Sequence, residues 1–217
     1  MAKVVGIGKQ AFDSVIENDC FYIDKTSFIK EWWENKDDVT LITRPRRFGK
    51  TLNMDMIKCF FSNEYKDRVD LFEGLEIWKD EKYRKLQGTY PVIFLSFAEI
   101  KKNNFKDTKN DIISIINEAY KQHSYLIRSN VLTDAEKGIF DKFDNYSKDT
   151  DVSKEMSNEI VCRAIKDLSS MLCRHFGKKV IILLDEHDTP MQEAYINGYW
   201  EELVGFTRSL FNSTFKT

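Results

Sequence analysis

Short apolar runs alternate with amphipathic stretches along the chain, and both patterns predict regular elements. Three runs, Val39–Thr43, Val92–Phe97 and Val180–Leu184, have the length and composition of buried strands. Apolar residues at helical spacing predict helices over residues 9–18, 26–34, 51–62, 80–87, 153–176 and 191–216, and two more within 107–148. Wholly apolar strands separated by helices are typical of a parallel sheet that helices cover on both faces. The predicted fold class is therefore α/β.

A phosphate-binding motif follows the first predicted strand, where the chain turns into a helix. Gly49, Lys50 and Thr51 end the segment TRPRRFGKT (Thr43–Thr51). In such loops, backbone N–H groups surround the phosphates, a lysine neutralises the β and γ oxygens, and a threonine hydroxyl binds Mg²⁺. The predicted phosphate-binding residues are Pro45, Arg46, Arg47, Phe48, Gly49, Lys50, Thr51 and Leu52.

The motif departs from its usual form at one position. Arg44 stands where the glycine-led pattern has its first glycine. The alternative interpretation is a strand–turn–helix junction with an exposed lysine. Arg44, Arg46 and Arg47 either contact phosphates or a partner's acids, or form a solvated loop.

Two adjacent acids follow the third predicted strand. Asp185 and Glu186 come directly after Val180–Leu184. The carboxyl ends of parallel strands meet at one sheet edge, which is also where a phosphate loop lies. We therefore expect Asp185 to bind Mg²⁺ or its waters, and Glu186 to activate the attacking water as a catalytic acid–base group beside Lys50. An acidic turn after a buried strand is the alternative.

Composition excludes several classes of protein. With 217 residues, 42% of them hydrophobic, the chain has enough apolar area to fold. Its 33 basic and 35 acidic residues give a net charge of −2, so direct nucleic-acid binding is not expected. No apolar run approaches the ~20 residues of a membrane span, and no secretory leader is read, so the predicted location is cytoplasmic. The four cysteines form no C-x-x-C pair and are predicted to be free thiols.

Four segments together resemble the bacterial AAA-ATPase-like family, and the resemblance extends over essentially the whole chain. They are FYIDKT (Phe21–Thr26), TRPRRFGKT (Thr43–Thr51), LNMDMIKCFF (Leu52–Phe61) and LLDEHDTP (Leu183–Pro190). The resemblance implies a P-loop NTPase-type three-layer α/β/α fold that uses ATP and Mg²⁺.

The resemblance also assigns roles by position. Lys50 and Thr51 match the phosphate and Mg²⁺ residues, and Asp185 and Glu186 match the metal-binding and water-activating acids. Asp24 and Lys25 match an N-terminal element near the nucleotide, although Asp24 fits equally well as a helix cap.

Domain organisation and partners follow from the same resemblance. Residues 1–38 are expected to form lead-in helices and the FYIDKT element, and residues 39–217 a P-loop core with a helical insertion at 101–178. Longer family members carry a C-terminal nuclease-like domain of the PD-(D/E)XK type, which makes a fused or partner nuclease-like domain the expected partner. No apolar strand follows Asp185 before Thr217, so we expect a chain truncated after the Walker B strand and its following helix. Such a chain should self-associate, and should bind ATP while hydrolysing it slowly.

Three functions remain open at this point. The first is a Mg²⁺-dependent ATPase module, and the second is a regulatory module that holds nucleotide with little or no hydrolysis. The third takes Asp185, Glu186 and Asp188 as a nuclease's metal cluster, which leaves Gly49-Lys50-Thr51 without a role. Asp188 either joins the acidic site or caps the helix after Pro190.

Overall fold

A computed structural model describes residues 3–43, 48–144 and 157–215. The chain divides into two compact units, Met1–Val92 and Ile93–Thr217. The described part of the first unit contains α1 (Phe12–Glu17), α2 (Ser27–Asn35), α3 (Lys50–Phe61) and α4 (Glu81–Arg84). Strand β1 (Val92–Ser96) begins at the boundary, and the second unit continues with α5 (Phe105–Gln122), α6 (Asp134–Asp144), α7 (Asn158–Phe176), β2 (Ile181–Asp185), α8 (Thr189–Asn197) and α9 (Trp200–Phe215).

The sheet is small. Strands β1 and β2 pair in parallel, and the Phe97 N–H continues the ladder by donating to the Asp185 carbonyl oxygen at 3.0 Å. These strands confirm the predictions for Val92–Phe97 and Val180–Leu184 to within one residue. The structure is thus a mostly helical α/β fold with a two-stranded parallel sheet among its described residues.

The strand predicted at Val39–Thr43 was wrong. Residues 39–43 form no strand, and Val39 and Leu41 are 66% and 68% exposed. A β-branched apolar run becomes a buried strand only where a neighbouring strand receives its backbone hydrogen bonds and a core receives its side chains. In the described residues the sheet pairs β1 with β2, and neither condition is met at this segment.

The helices agree with the predictions apart from their ends. Helices α2, α3 and α5 begin within two residues of the predicted positions, and α7 ends at Phe176, with Gly177 as its C-cap at a left-handed φ of 63°. Residues 153–156 of the predicted long helix lie outside the described residues. The final helical region is two helices, because Gly198 at φ 81° ends α8 before α9 begins. Trp32 and Trp33 are partly buried and pack on the buried ring of Phe61.

An aromatic cluster forms the core of the first unit. The Phe60 and Phe72 ring centroids lie 5.1 Å apart, and the Phe12 and Phe72 centroids 5.2 Å apart. All three side chains are fully buried. Phe60 lies near the C-terminal end of α3, so this cluster fixes that end while Lys50, at the other end, is only half-buried.

A buried carboxylate joins α1 to α3. Asp55 Oδ2 accepts the Phe12 N–H at 2.7 Å, and Oδ1 pairs with Lys58 Nζ at 2.5 Å. Phe12 is the first residue of α1, where the backbone N–H has no partner within its own helix. Ala11 precedes it and has no side-chain acceptor, so Asp55 supplies the cap from another helix.

In the second unit, α5 and α7 contribute buried side chains to the same core as the strands. The Tyr120 hydroxyl on α5 donates to the Ala164 carbonyl of α7 at 2.8 Å, and the Tyr120 ring stacks on Phe143 with 4.2 Å between centroids. Burial raises the pKa of Tyr120 well above its usual value. The hydroxyl therefore stays protonated and remains a donor.

The four cysteines are free thiols, as predicted. Cys20 and Cys59 are buried, whereas Cys173 is exposed. Burial, reinforced by the Asp55 carboxylate, raises the pKa of Cys59 to about 12, so this thiol is unreactive in the folded chain.

Asp55→Ala should destabilise the first unit. It leaves the buried Phe12 N–H without its acceptor, which costs about 1–3 kcal/mol of free energy of unfolding. Urea denaturation followed by circular dichroism measures the change. Asp70→Ala is the control, because it removes an exposed pair with Arg68 worth at most about 1 kcal/mol. Equal losses in the two variants would show that the Asp55 cap contributes no more than a surface ion pair.

Candidate functional site

The described part of the phosphate loop opens α3 on a left-handed glycine. Gly49 is the N-cap with φ 75°, and its carbonyl oxygen accepts the Asn53 N–H at 2.9 Å. Glycine adopts this conformation without strain, whereas a residue with a Cβ does not. The first-turn N–H groups, on Lys50, Thr51 and Leu52, have no acceptors within the helix and point toward its N-terminus. The loop is therefore shaped to receive an anion.

Of the predicted phosphate-binding residues, Phe48 through Leu52 are described. Lys50, Thr51 and Leu52 are half-buried in the first turn of α3, and Phe48 precedes it with 61% of its surface exposed. Pro45, Arg46 and Arg47 lie outside the described residues, as does Arg44. Their predicted contacts to phosphate stay predictions.

A cavity of ≈ 390 Å³ lies beside this loop. Phe48 and Asn53 line it from the loop and α3, and Lys25 and Phe28 line it from the start of α2. Sequence reasoning did not select Phe28 or Asn53. Asn53 lies one helical turn after Gly49 and is therefore on the same side of α3 as the loop. That position is the sequence signal that could have identified it.

The Asp24 side chain has a structural role. Its Oδ1 accepts the Thr26 N–H at 2.8 Å and the Thr26 hydroxyl at 2.7 Å, and its Oδ2 accepts the Glu76 N–H at 2.7 Å. Although desolvation acts in the opposite direction, these hydrogen bonds hold the pKa of Asp24 below its usual value. Asp24 thus fixes the turn before α2 from outside the helix, since the N-cap of α2 is Thr26 and no side chain caps it. Its predicted position near the nucleotide stays a prediction.

The paired acids lie at the end of β2 in the second unit. Asp185 is the last residue of the strand and is 4% exposed. Glu186 follows with φ 51°, in the left-handed region that a glutamate occupies only with strain of about 1–2 kcal/mol. Its carbonyl oxygen accepts the Thr189 N–H at 3.0 Å, and its Oε2 accepts the Thr189 hydroxyl at 3.4 Å. The turn into α8 therefore maintains the strained backbone.

Asp188 stands at the N-cap of α8 without a side-chain cap bond to the backbone. Its Oδ2 instead accepts a hydrogen bond from the Gln192 side chain at 3.0 Å. Among the described residues no group of three or more His, Cys, Asp and Glu side chains is arranged to hold a metal ion. The nuclease interpretation of Asp185, Glu186 and Asp188 is therefore not supported by the described residues.

Each unit thus carries one part of the predicted site. The first unit brings the phosphate loop to Lys25 and Phe28, and the second places Asp185 and Glu186 in consecutive positions at a strand end. That both parts face one cleft stays a prediction.

A helix that opens on Gly-Lys-Thr and a strand that ends on paired acids are the features of nucleotide-binding α/β proteins. Comparison with known families agrees with this class. The chain belongs to the AAA-ATPase-like family, described as "Predicted AAA-ATPase", whose model matches residues 6–217.

One curated relative matches part of the chain. The "Uncharacterized protein in vnfD 5'region" of Azotobacter chroococcum mcd 1 is 35% identical over 98 residues, which is 44% of this chain. The matched region spans 17% of that relative's length. No solved structure matches the chain significantly. Of the helices in the described residues, none combines the length and the apolar character that a bilayer crossing requires.

Glu186→Gly should relieve the backbone strain after β2. The gain of about 1–2 kcal/mol is partly offset by the greater freedom of glycine in the unfolded chain, so we expect stability unchanged or raised by up to about 1 kcal/mol. Thermal and urea denaturation measure it. Glu118→Gly, at an exposed position within α5, is the control and should cost about 1 kcal/mol. A loss at Glu186 as large as that at Glu118 would contradict the strained geometry.

Proposed function

We propose that the chain is the ATP-binding module of a Mg²⁺-dependent P-loop ATPase. The observation that carries this proposal is the left-handed Gly49 at the N-terminus of α3, directly before Lys50 and Thr51 and beside an open cavity. Membership of the AAA-ATPase-like family supports ATP as the nucleotide.

In this proposal each part of the site has one task. Lys50 and the first-turn N–H groups of α3 bind the β and γ phosphates, where charge-assisted hydrogen bonds are strongest. Thr51 and Asp185 offer hydroxyl and carboxylate oxygens, a donor set that fits Mg²⁺ and leaves its remaining positions to phosphate and water. The metal would neutralise charge on the phosphates. Glu186 would accept the proton of the attacking water.

Hydrolysis by this module would drive or time a conformational change in an attached or partner domain. The partner that we propose is a nuclease-like domain, as in the longer family members that the sequence resembles. Self-association is a further proposal, supported by large apolar side chains of the first unit that are more than 60% exposed, namely Val4, Val5, Ile7, Ile23, Val39, Leu41 and Phe48. We propose the cytoplasm as the location, because ATP is available there.

Lys50→Ala should weaken Mg-ATP binding at least about tenfold, because a charge-assisted contact to phosphate is lost. Isothermal titration calorimetry measures the affinity, and circular dichroism checks that the variant is folded. Lys30→Ala, on an exposed lysine of α2, is the control and should bind as the unsubstituted chain does. Unchanged affinity in folded Lys50→Ala would exclude the phosphate-loop assignment.

Glu186→Gln should separate hydrolysis from binding. Loss of a general base lowers the rate of the chemical step by about 10²–10⁴-fold, whereas Mg-ATP affinity should change little because the amide keeps the shape of the side chain. Single-turnover phosphate release with protein in excess over ATP makes even slow hydrolysis measurable. Equal phosphate release by both proteins would contradict the role of Glu186. Tight binding without release by either would favour the regulatory module.

A further inference from the structure

The Lys25 ammonium lies beside the glycine that opens α3. Its Nζ is 3.7 Å from the position that a Cβ on Gly49 would occupy. Lys25 belongs to the segment before α2, 24 positions earlier in the chain than Gly49, and both lie within the first unit. The resemblance placed Lys25 near the nucleotide, and its contact with Gly49 depends on how the turn before α2 packs against the loop.

The Lys25 side chain is exposed and unpaired among the described residues. Its ammonium forms no ion pair or hydrogen bond with any of them. Asp24 and Glu31 line the same cavity and contribute negative charge to it, while hydrogen bonds from Thr26 and Glu76 keep the Asp24 carboxylate in place. A cation at the N-terminus of α3 also opposes the positive end of the helix dipole. An anion bound in this place would be attracted both by the Lys25 ammonium and by the N-terminus of α3.

The backbone around Lys25 is held firmly. The Thr26 side chain is fully buried, and its hydroxyl oxygen accepts the Ile77 N–H at 3.1 Å. Asp24 is fixed to Thr26 and Glu76, as described above, and the Lys25 N–H donates to the Tyr22 hydroxyl at 3.3 Å. The residues on both sides of Lys25 are thus anchored, while its side chain reaches the loop. Ligand binding therefore requires little additional ordering of the backbone around Lys25.

We infer that Lys25 is a second phosphate-binding cation of the loop, and that it contacts the terminal phosphates of a nucleoside di- or triphosphate. This inference rests on the proposed function and names a residue outside the Gly-Lys-Thr motif. Binding would then join the turn before α2 to the N-terminus of α3 through the phosphates. The hydrogen bonds of Asp24 and Thr26 would extend that connection to residues 76–77.

The test compares four lysine variants by calorimetry with Mg-ATP and Mg-ADP. Lys25→Ala should weaken Mg-ATP binding about fivefold or more, and Lys25→Arg should remain within about threefold of the unsubstituted chain because it keeps the charge. Lys30→Ala, an exposed lysine of the adjacent helix, should have no effect, and Lys50→Ala reports on the loop itself. Lys25→Ala should also reduce the dependence of affinity on salt concentration, because one ionic contact is removed.

The outcomes separate the two proposals. If Lys50→Ala weakens binding and folded Lys25→Ala does not, the role of Lys25 is overturned while the phosphate loop stands. If the unsubstituted chain binds no Mg-ATP, both proposals are overturned.

Hydrogen exchange supplies a second measurement. Mg-ATP should increase amide protection in residues 21–29 of the unsubstituted chain, and should not do so in Lys25→Ala at saturating nucleotide. Equal protection in both proteins would show that the segment before α2 responds to nucleotide without Lys25, and would overturn the inference.

Discussion

The structure of the first unit depends on one buried carboxylate. Asp55 lies in the middle of α3 and caps α1, so that α1 can begin without a capping side chain of its own. The same helix sends Phe60 into the aromatic core, and its C-terminal half is therefore held from two sides. The N-terminal half carries the loop and remains partly exposed. Because its C-terminal half is buried and held in place, α3 can keep its N-terminus accessible to a ligand.

The sequence analysis succeeded where structure depends on neighbouring residues. The spacing of Val161, Leu168 and Leu172 defines the buried face of α7, and glycine followed by lysine and threonine marks the start of α3. Chemistry and position agree there, because the motif that binds phosphate also begins a helix. The fold class and the strand that ends at Asp185 were also predictable, because their signals lie in neighbouring residues of the sequence.

The sequence analysis failed where the structure of a segment depends on residues that are far away in the sequence. Val39–Thr43 has the composition of a strand, but composition cannot reveal whether a neighbouring strand is available. The resemblance placed Lys25 near the nucleotide, but the contacts of Lys25 with Gly49 and of Asp24 with the Glu76 N–H depend on packing between segments that are far apart in sequence. The strain at Glu186 was also invisible, since glutamate gives no sign of a left-handed conformation.

Gly49 is constrained in two ways, by its backbone conformation and by its place in the phosphate loop. Its φ of 75° disfavours any side chain, and a methyl group there would lie against the Lys25 ammonium, in the space beside the loop. Charged residues around the loop can be exchanged one at a time with graded losses of affinity. Replacement of Gly49 instead strains the backbone of the turn by about 1–2 kcal/mol. In an evolving lineage, this position should therefore be among the last of the loop to drift after the activity is no longer selected, because it is held by backbone geometry as well as by ligand binding.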